Sequence, residues 1–250
     1  MNETYKVQVQ GLVDDLKAVF THAGLGGEAG EYKLLTQSFL YKFLNDKFLY
    51  QAKCLDEVNT YEHLLTLSED DYDWLLEDIG TSTAWLKPDQ LIETLHRQQN
   101  EATFYETFEN TLNQIAIDNN DIFSVHTDGD TAIRLFDERL ITDTISDSSK
   151  RNEVAKSIIN LLARVKFDET IFSQGFDFFS TLFEYMIKDY NKDGGGKYAE
   201  YYTPHSVAKI IADILVGNDQ PSNVRIYDPS AGSGTLLMNL ASRIGVDKAT

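Results

Sequence analysis

One stretch near the C-terminal end, residues 225–237 with the sequence RIYDPSAGSGTLL, constrains the fold more than any other part of the chain. It begins with a short apolar run that predicts a buried strand, and it ends in residues that open an amphipathic helix. Between the two lies a tight turn built on Gly232 and Gly234, where the absence of a Cβ lets the backbone approach a ligand closely. A strand, a glycine turn and a helix N-terminus form the usual nucleotide-binding corner of an α/β sheet.

The residues around this turn narrow the choice of ligand. No lysine follows the glycines, which argues against a Walker phosphate loop, and Leu237 replaces the third glycine of the dinucleotide fingerprint. Asp228, at the carboxyl end of the predicted strand, can accept hydrogen bonds from hydroxyl or ammonium groups. A ligand with a positive end therefore fits better than a pyrophosphate, and S-adenosylmethionine is such a ligand. A glycine turn with a purely structural role is the alternative that the stretch alone leaves open.

A second informative stretch, residues 194–205 with the sequence GGGKYAEYYTPH, precedes the first. Its glycine run predicts a flexible joint. Thr203 is placed to cap a helix and Pro204 to occupy the first helical position. The helix is predicted to run to about Val216, with an apolar stripe formed by Val207, Ile210, Ile211, Ile214 and Leu215.

Together, the two stretches resemble the modification subunits of type I restriction–modification systems, which are N6-adenine DNA methyltransferases. In that family a Tyr/Phe-Thr-Pro motif and a following Asp-Pro-x-x-Gly-x-Gly motif line the S-adenosylmethionine pocket, and residues 39–48 also resemble the family's helical N-terminal domain. The resemblance implies that the parent enzyme acts on DNA and assembles with a specificity subunit and a restriction subunit. It implies the following cofactor-binding residues: Glu200, Tyr201, Tyr202, Thr203, Pro204, His205, Asp228, Gly232, Ser233, Gly234 and Thr235.

The catalytic motif of the family is absent from this sequence. In the family an Asn/Asp-Pro-Pro-aromatic motif accepts hydrogen bonds from N6 and stacks on the adenine, which is first rotated out of the duplex. None of the four prolines here are adjacent, so we predict no catalytic residue. Because one strand cannot form a parallel sheet without partners, we expect the chain to be the front part of a longer subunit and to lack methylation activity alone.

Helical periodicity dominates the rest of the chain. We therefore predict an all-α N-terminal domain over residues 1–165, followed over residues 166–250 by the beginning of a Rossmann-like α/β methyltransferase domain. Residues 118–148 are rich in Asp, Asn, Ser and Thr and are interpreted as turns. Helices are predicted over about 7–22, 31–50, 68–80, 101–117, 150–165 and 170–190, and another near Pro88.

The formal net charge of −18 is concentrated in the middle of the chain. Residues 51–150 contain 22 acidic and 6 basic side chains, whereas residues 151–250 contain 12 acidic and 11 basic ones. We interpret the middle as a well-solvated helical surface. The alternative is that this face points away from DNA, which repels acidic surfaces, or docks a basic partner.

The sequence also bears on location and on other possible functions. It contains one cysteine, no signal-peptide pattern and no apolar run long enough for a membrane, so we expect a cytoplasmic protein with no membrane partner. Two alternatives remain: a non-catalytic helical scaffold for a DNA-modification complex, and a methyltransferase that acts on RNA or protein.

Overall fold

The structure is a computed structural model that describes residues 3–27, 29–81, 83–123, 125–126, 132–167, 172, 203–218, 223–231 and 234–245. The chain divides into two compact units, a helical unit (Met1–Phe176) and a C-terminal unit (Asp177–Thr250). None of the described helices is both long enough and apolar enough to cross a membrane.

The helical unit is built from α-helices, with one short hairpin and two short 3₁₀ turns at Pro88–Gln90 and Ser148–Lys150 in its described part. The predicted helices are present, with ends shifted by a few residues, except over residues 170–190, where only Phe172 is described. The described α-helices are α1 (Glu3–Ala23), α2 (Ala29–Leu55), α3 (Tyr61–Leu64), α4 (Glu69–Ile79), α5 (Ile92–Gln98), α6 (Phe104–Asp118), α7 (Asn120–Phe123), α8 (Leu140–Thr144) and α9 (Arg151–Arg164).

Helix α2 lies at the centre of this unit. It is buried on several sides rather than along one stripe, because α1, α4, α8 and α9 all contact it. Its Phe39, Tyr41 and Phe48 side chains are fully buried, as expected from the run of aromatic residues. The Tyr41 hydroxyl donates to the carbonyl of Gln90 at 2.6 Å, which satisfies the one polar atom of this large side chain.

The surrounding helices bury the apolar faces that their periodicity predicts. Helix α4 also begins as predicted, because the Oγ of Ser68 accepts a hydrogen bond from the amide of Asp71 at 3.2 Å. It ends at Gly80, whose φ of +65° suits glycine. Fully or almost fully buried residues on these faces include Leu16, Phe20, Leu75, Leu95, Phe104, Phe108, Leu112, Ile115, Val154, Ile158 and Leu162.

The region over residues 118–148 departs from the prediction of turns alone. Besides α7 and α8 it contains an antiparallel hairpin of β1 (Val125–His126) and β2 (Ala132–Ile133). The described part of the N-terminal unit is mostly helical, as predicted, and contains one short hairpin.

A buried polar cluster connects α2 to the segment after α9. The Lys42 ammonium lies 2.8 Å from the Asp46 carboxylate, and the two side chains are only 3% and 8% exposed. Asp46 also accepts hydrogen bonds from the Asn45 amide and from the backbone N–H of Phe167, both at 2.8 Å. Burial lowers the pKa of Lys42, and the neighbouring Asp46 opposes that shift.

The described part of the C-terminal unit contains two helices, α10 (His205–Val216) and α11 (Thr235–Ile244), which contact each other. Residues 225–228 precede the glycine turn but are not assigned to a strand. Val224 forms an isolated β-bridge, but the described residues of this unit contain no strand of two or more residues. The predicted Rossmann-like sheet is therefore not confirmed.

Candidate functional site

Helix α10 begins within the Thr-Pro-His segment. Pro204 is the N-cap, with φ −55° and ψ 135°, and its carbonyl accepts hydrogen bonds from the amides of Val207 at 2.9 Å and Ala208 at 3.1 Å. The helix therefore starts one residue later than predicted, and Thr203 precedes the cap rather than forming it. The reason is local: Pro204 has an extended ψ, so the first helical residue is His205.

The buried face of α10 differs from the predicted one. The residues that contribute to the core are small, since Ala208 and Ala212 are 1% and 2% exposed and Val216 follows on the same face. The large aliphatic residues of the predicted stripe are exposed instead, and Ile214 reaches 73%. The prediction failed because both faces of α10 are apolar, and periodicity alone does not say which face a neighbouring helix covers.

Two hydrogen bonds lie on either side of Gly232 and Ser233 in the segment before α11. Asp228 is half-buried, and its Oδ1 accepts a hydrogen bond from the amide of Ser230 at 2.8 Å. The amide of Gly234 donates to the carbonyl of Ala231 at 2.7 Å. Gly234 then forms the N-cap of α11 in the left-handed conformation, with φ +73°, which a residue with a Cβ adopts only with strain.

The two helices run side by side in the same direction, and polar contacts join them at both ends. Near the start, the Asn239 amide nitrogen lies 3.2 Å from Nδ1 of His205 and donates to the carbonyl of Thr235 at 2.8 Å. Near the end, the Arg243 guanidinium donates to Asp213 at 2.8 Å and to the carbonyl of Gly217 at 2.7 Å. The first residues of α10 and α11 are thus held close to each other.

A cavity of about 230 Å³ lies in the same unit. It is mainly apolar, and Asp228 is the one charged residue among the described residues that line it. Its volume is below the usual range of ligand pockets, about 300–1,000 Å³. The lining residues come from α10 (Ile211, Ala212, Leu215), from the segment before the turn (Ile226, Tyr227, Asp228, Pro229) and from α11 (Leu236, Leu237, Leu240).

The structure brings several of the predicted cofactor-binding residues into one region. Thr203, Pro204 and His205 lie at the start of α10, and Gly234 and Thr235 lie at the start of α11, with His205 in contact with Asn239. Asp228 lines the cavity between these helices. The remaining predicted residues, Glu200, Tyr201, Tyr202, Gly232 and Ser233, lie outside the described residues.

Two other features of the described residues bear on the choice of site. Among the residues that the structure describes, no group of three or more His, Cys, Asp or Glu side chains could hold a metal ion. A larger cavity of about 440 Å³ lies in the helical unit and is lined by Asp118, Asp121 and Arg134 among others. Asp118 already accepts hydrogen bonds from Gln90 and Gln114, and no predicted site residue lines this cavity. We therefore place the candidate site in the C-terminal unit.

Comparison with known proteins points to one family. Residues 174–249 match the family model "N-6 DNA Methylase". The chain is 25% identical over 230 residues to the type I restriction enzyme MpnII methylase subunit of Mycoplasma pneumoniae, covering 88% of this chain and 40% of that protein. It is 25% identical over 128 residues to the MjaIX methylase subunit of Methanocaldococcus jannaschii, covering 47% of this chain and 22% of that one.

The predicted resemblance to type I modification subunits is confirmed. A crystal structure of a type I methyltransferase subunit from Streptococcus thermophilus shares this fold, with a TM-score of 0.63 at 19% identity, and the match covers 98% of this chain. The chain spans less than half the length of these two type I methylase subunits, and about half, 51%, of the crystallised one.

Sequence reasoning missed one residue of this region. Asn239 lies among the leucines of α11, and nothing in its sequence neighbourhood marks it as different from a surface polar residue. The structure shows that it is buried, 9% exposed, and that it contacts both helix starts. A buried asparagine inside an amphipathic helix needs hydrogen-bond partners. Its burial depends on the tertiary structure, so the sequence alone did not single it out.

Proposed function

We propose that this chain is the helical and cofactor-binding portion of a type I modification subunit, an N6-adenine DNA methyltransferase that uses S-adenosylmethionine. The observation that carries the proposal is the position of the family match. Residues 174–249 contain every predicted cofactor-binding residue, and the matched relatives are type I restriction enzyme methylase subunits.

The chemistry of the described residues supports this cofactor. S-adenosylmethionine supplies an electrophilic methyl group on a sulfonium and also carries an α-ammonium group. Asp228 provides a half-buried carboxylate beside an apolar cavity, and only its Oδ1 is engaged by a hydrogen bond among the described residues. Its charge can therefore hold the ammonium end of the cofactor with a charge-assisted hydrogen bond.

The two helix starts provide the remaining contacts in this proposal. In this proposal the glycine turn, with Gly232, Ser233, Gly234 and Thr235, contacts the cofactor next to the positive end of α11. The Glu200–His205 segment closes the pocket from the side of α10. The described cavity is smaller than a typical cofactor pocket because these residues form only one side of the complete site in this proposal.

In this proposal the chain binds the cofactor but does not transfer its methyl group. In the family the methyl group goes to the exocyclic N6 of an adenine, and an Asn/Asp-Pro-Pro-aromatic motif accepts hydrogen bonds from that N6. The predicted site residues of this chain do not include that motif. We therefore propose that the chain alone does not methylate DNA. Transfer of a labelled methyl group to DNA by the purified chain would overturn this part of the proposal.

The larger assembly follows from the same resemblance. We propose that the parent subunit acts on DNA in the cytoplasm together with a specificity subunit, which reads the target sequence, and a restriction subunit. In this proposal the methyltransferase domain is Rossmann-like and begins near residue 166, after a helical domain over residues 1–165. In this proposal the acidic middle of the chain points away from DNA, because residues 51–150 contain 22 acidic and only 6 basic side chains.

The scaffold alternative is not favoured. A purely structural helical protein has no need of the 174–249 segment, which is the part that matches the methylase family. A methyltransferase for RNA or protein is also less well supported, because the matched relatives are named as restriction enzyme methylase subunits.

Calorimetric titration of S-adenosylmethionine into the chain tests the proposal. We expect wild-type binding, and a loss of at least about 10-fold in affinity for Asp228→Asn, since a hydrogen bond to a charged group contributes about 1.5–3 kcal/mol. Asp213→Asn is the matched control, because this carboxylate pairs with Arg243 at the far end of α10. A wild-type chain without measurable binding, or equal losses in both variants, contradicts the proposed site.

A further inference from the structure

Asn239 links the two segments that flank the proposed cofactor pocket. It lies in the second turn of α11 and is 9% exposed. Its Nδ2 donates to the carbonyl of Thr235 at 2.8 Å and lies 3.2 Å from Nδ1 of His205. One buried amide therefore contacts the first residue of α10 and the first residue of α11.

The direction of these hydrogen bonds follows from the chemistry of the partners. A backbone carbonyl only accepts, so the atom that faces Thr235 must be the amide nitrogen. The same nitrogen faces the histidine ring, and Nδ1 of His205 must therefore be the acceptor. When Nδ1 accepts this hydrogen bond, the ring proton lies on Nε2, and the contact sets the orientation of the ring.

The contacts of Asn239 lie next to both segments that are predicted to bind the cofactor. His205 follows directly after Thr203 and Pro204, and Thr235 follows directly after the left-handed Gly234. Any change in the distance between His205 and Thr235 moves these two loop segments relative to each other. Both segments hold the residues predicted to bind the cofactor.

The second polar contact between the helices does not have this role. Arg243 and Asp213 are 41% and 52% exposed, so water competes for their hydrogen bonds. They also lie at the ends of the helices that are remote from the glycine turn. Between the two contacts the small side chains of Ala208 and Ala212 are buried, which lets the backbones approach without specifying a register.

We propose that Asn239 is a positioning residue for the cofactor pocket. It holds the Thr-Pro start of α10 and the glycine turn before α11 at a fixed spacing, and it acts through His205 and Thr235 without contacting the ligand. The inference rests on the proposed function, since it assumes that these two segments bind S-adenosylmethionine.

Binding measurements on the full chain test this role. Asn239→Leu keeps a similar volume but removes both hydrogen bonds, and we expect about 10-fold weaker binding of S-adenosylmethionine, the order of coupling between contacting residues. His205→Leu should weaken binding at least as much, because it removes the same contact and His205 is itself a predicted cofactor-binding residue. The double variant should be no weaker than His205→Leu alone, because His205→Leu has already removed the contact with Asn239. Arg243→Met is the matched control and should bind within about two-fold of wild type.

Two further readouts separate positioning from a general loss of structure. His205→Asn places an amide oxygen where Nδ1 accepts, so it should retain most of the affinity that His205→Leu loses. The ¹⁵N chemical shifts of the His205 ring should report the Nε2–H tautomer in the wild-type chain and a mixture of tautomers in Asn239→Leu. Asn239→Ala removes the same two hydrogen bonds without adding a large apolar group, so it keeps the test decisive if Asn239→Leu does not fold.

The outcomes distinguish this inference from the proposed function. If the wild-type chain binds S-adenosylmethionine and Asn239→Leu binds equally well, the positioning role is refuted while the function stands. Additive losses in the double variant also refute it. If the wild-type chain binds no S-adenosylmethionine, the proposed function fails, and the pocket that Asn239 would order fails with it.

Discussion

The buried ion pair between Lys42 and Asp46 leads to a quantitative prediction about the helical unit. The two side chains are 3% and 8% exposed, and Asp46 also accepts hydrogen bonds from Asn45 and from the amide of Phe167. Asp46→Asn keeps the volume and one acceptor but removes the charge that neutralises Lys42. Breaking a buried pair by removing one partner costs about 3–5 kcal/mol, and we expect the lower end of that range because the asparagine still accepts from Phe167.

Urea unfolding followed by tryptophan fluorescence measures this cost selectively. Both tryptophans of the chain, Trp74 and Trp85, lie in the helical unit, so their signal reports its unfolding and not that of the C-terminal unit. The Lys42→Met/Asp46→Asn double variant should be at least about 2 kcal/mol more stable than Asp46→Asn, because it leaves no unpaired buried charge.

An exposed ion pair of the same length provides the control. The Lys33 ammonium lies 2.8 Å from the Asp137 carboxylate, but these side chains are 46% and 40% exposed. Lys33→Met should therefore cost about 0–1 kcal/mol. If Asp46→Asn costs no more than Lys33→Met, or if the double variant is as unstable as Asp46→Asn, burial is not what makes the Lys42–Asp46 pair important.

Three smaller perturbations test other parts of the structure. Ser68→Ala removes the side-chain cap of α4 and should cost about 1 kcal/mol in the tryptophan-detected unfolding, and an unchanged urea midpoint would contradict the cap. Burial raises the pKa of Tyr72 above its ordinary value of 10.0, so the contribution of its protonated hydroxyl to stability is complete below pH 10 and is lost as the pH rises further. Tyr72→Phe should therefore reduce the fall of the urea midpoint above pH 10. An unaltered fall would show that Tyr72 is not its cause. A Cβ at Gly234 meets no atom within 4 Å, so Gly234→Ala should cost only the strain of its φ of +73°, about 1–2 kcal/mol. This loss of stability should appear as faster hydrogen exchange in residues 235–244. Unchanged exchange there would argue against the left-handed conformation of Gly234.

Elements with strong local signals were predicted well. Helix α4 has a capping serine before it and a glycine after it, and its buried Tyr72, Leu75, Leu76 and Ile79 follow the helical period. The same holds for α6, whose Phe104, Phe108, Leu112 and Ile115 follow the helical period and are fully buried. These signals depend on nearest neighbours along the chain, so no knowledge of the tertiary structure is needed to interpret them.

Elements that depend on distant partners were predicted less well. The strand before the glycine turn is not assigned, because a strand is defined by its neighbours and not by its own apolar run. The hairpin of β1 and β2 was interpreted as turns, since each strand is only two residues long and carries almost no periodicity. In α10 the buried face is the alanine face and not the larger aliphatic one.

The sequence by itself determined the order of helices, the capped start of α4, and the paired Thr-Pro and Asp-Pro-x-x-Gly-x-Gly motifs that indicate a methylase. All of these are short-range patterns of side-chain chemistry. Only the tertiary structure decided that α10 presents its small residues to the core and that Asn239 joins His205 to Thr235. Those features depend on the packing of two helices whose first residues are about 30 positions apart in the sequence. Local sequence patterns do not show which faces of two such helices give the most favourable packing.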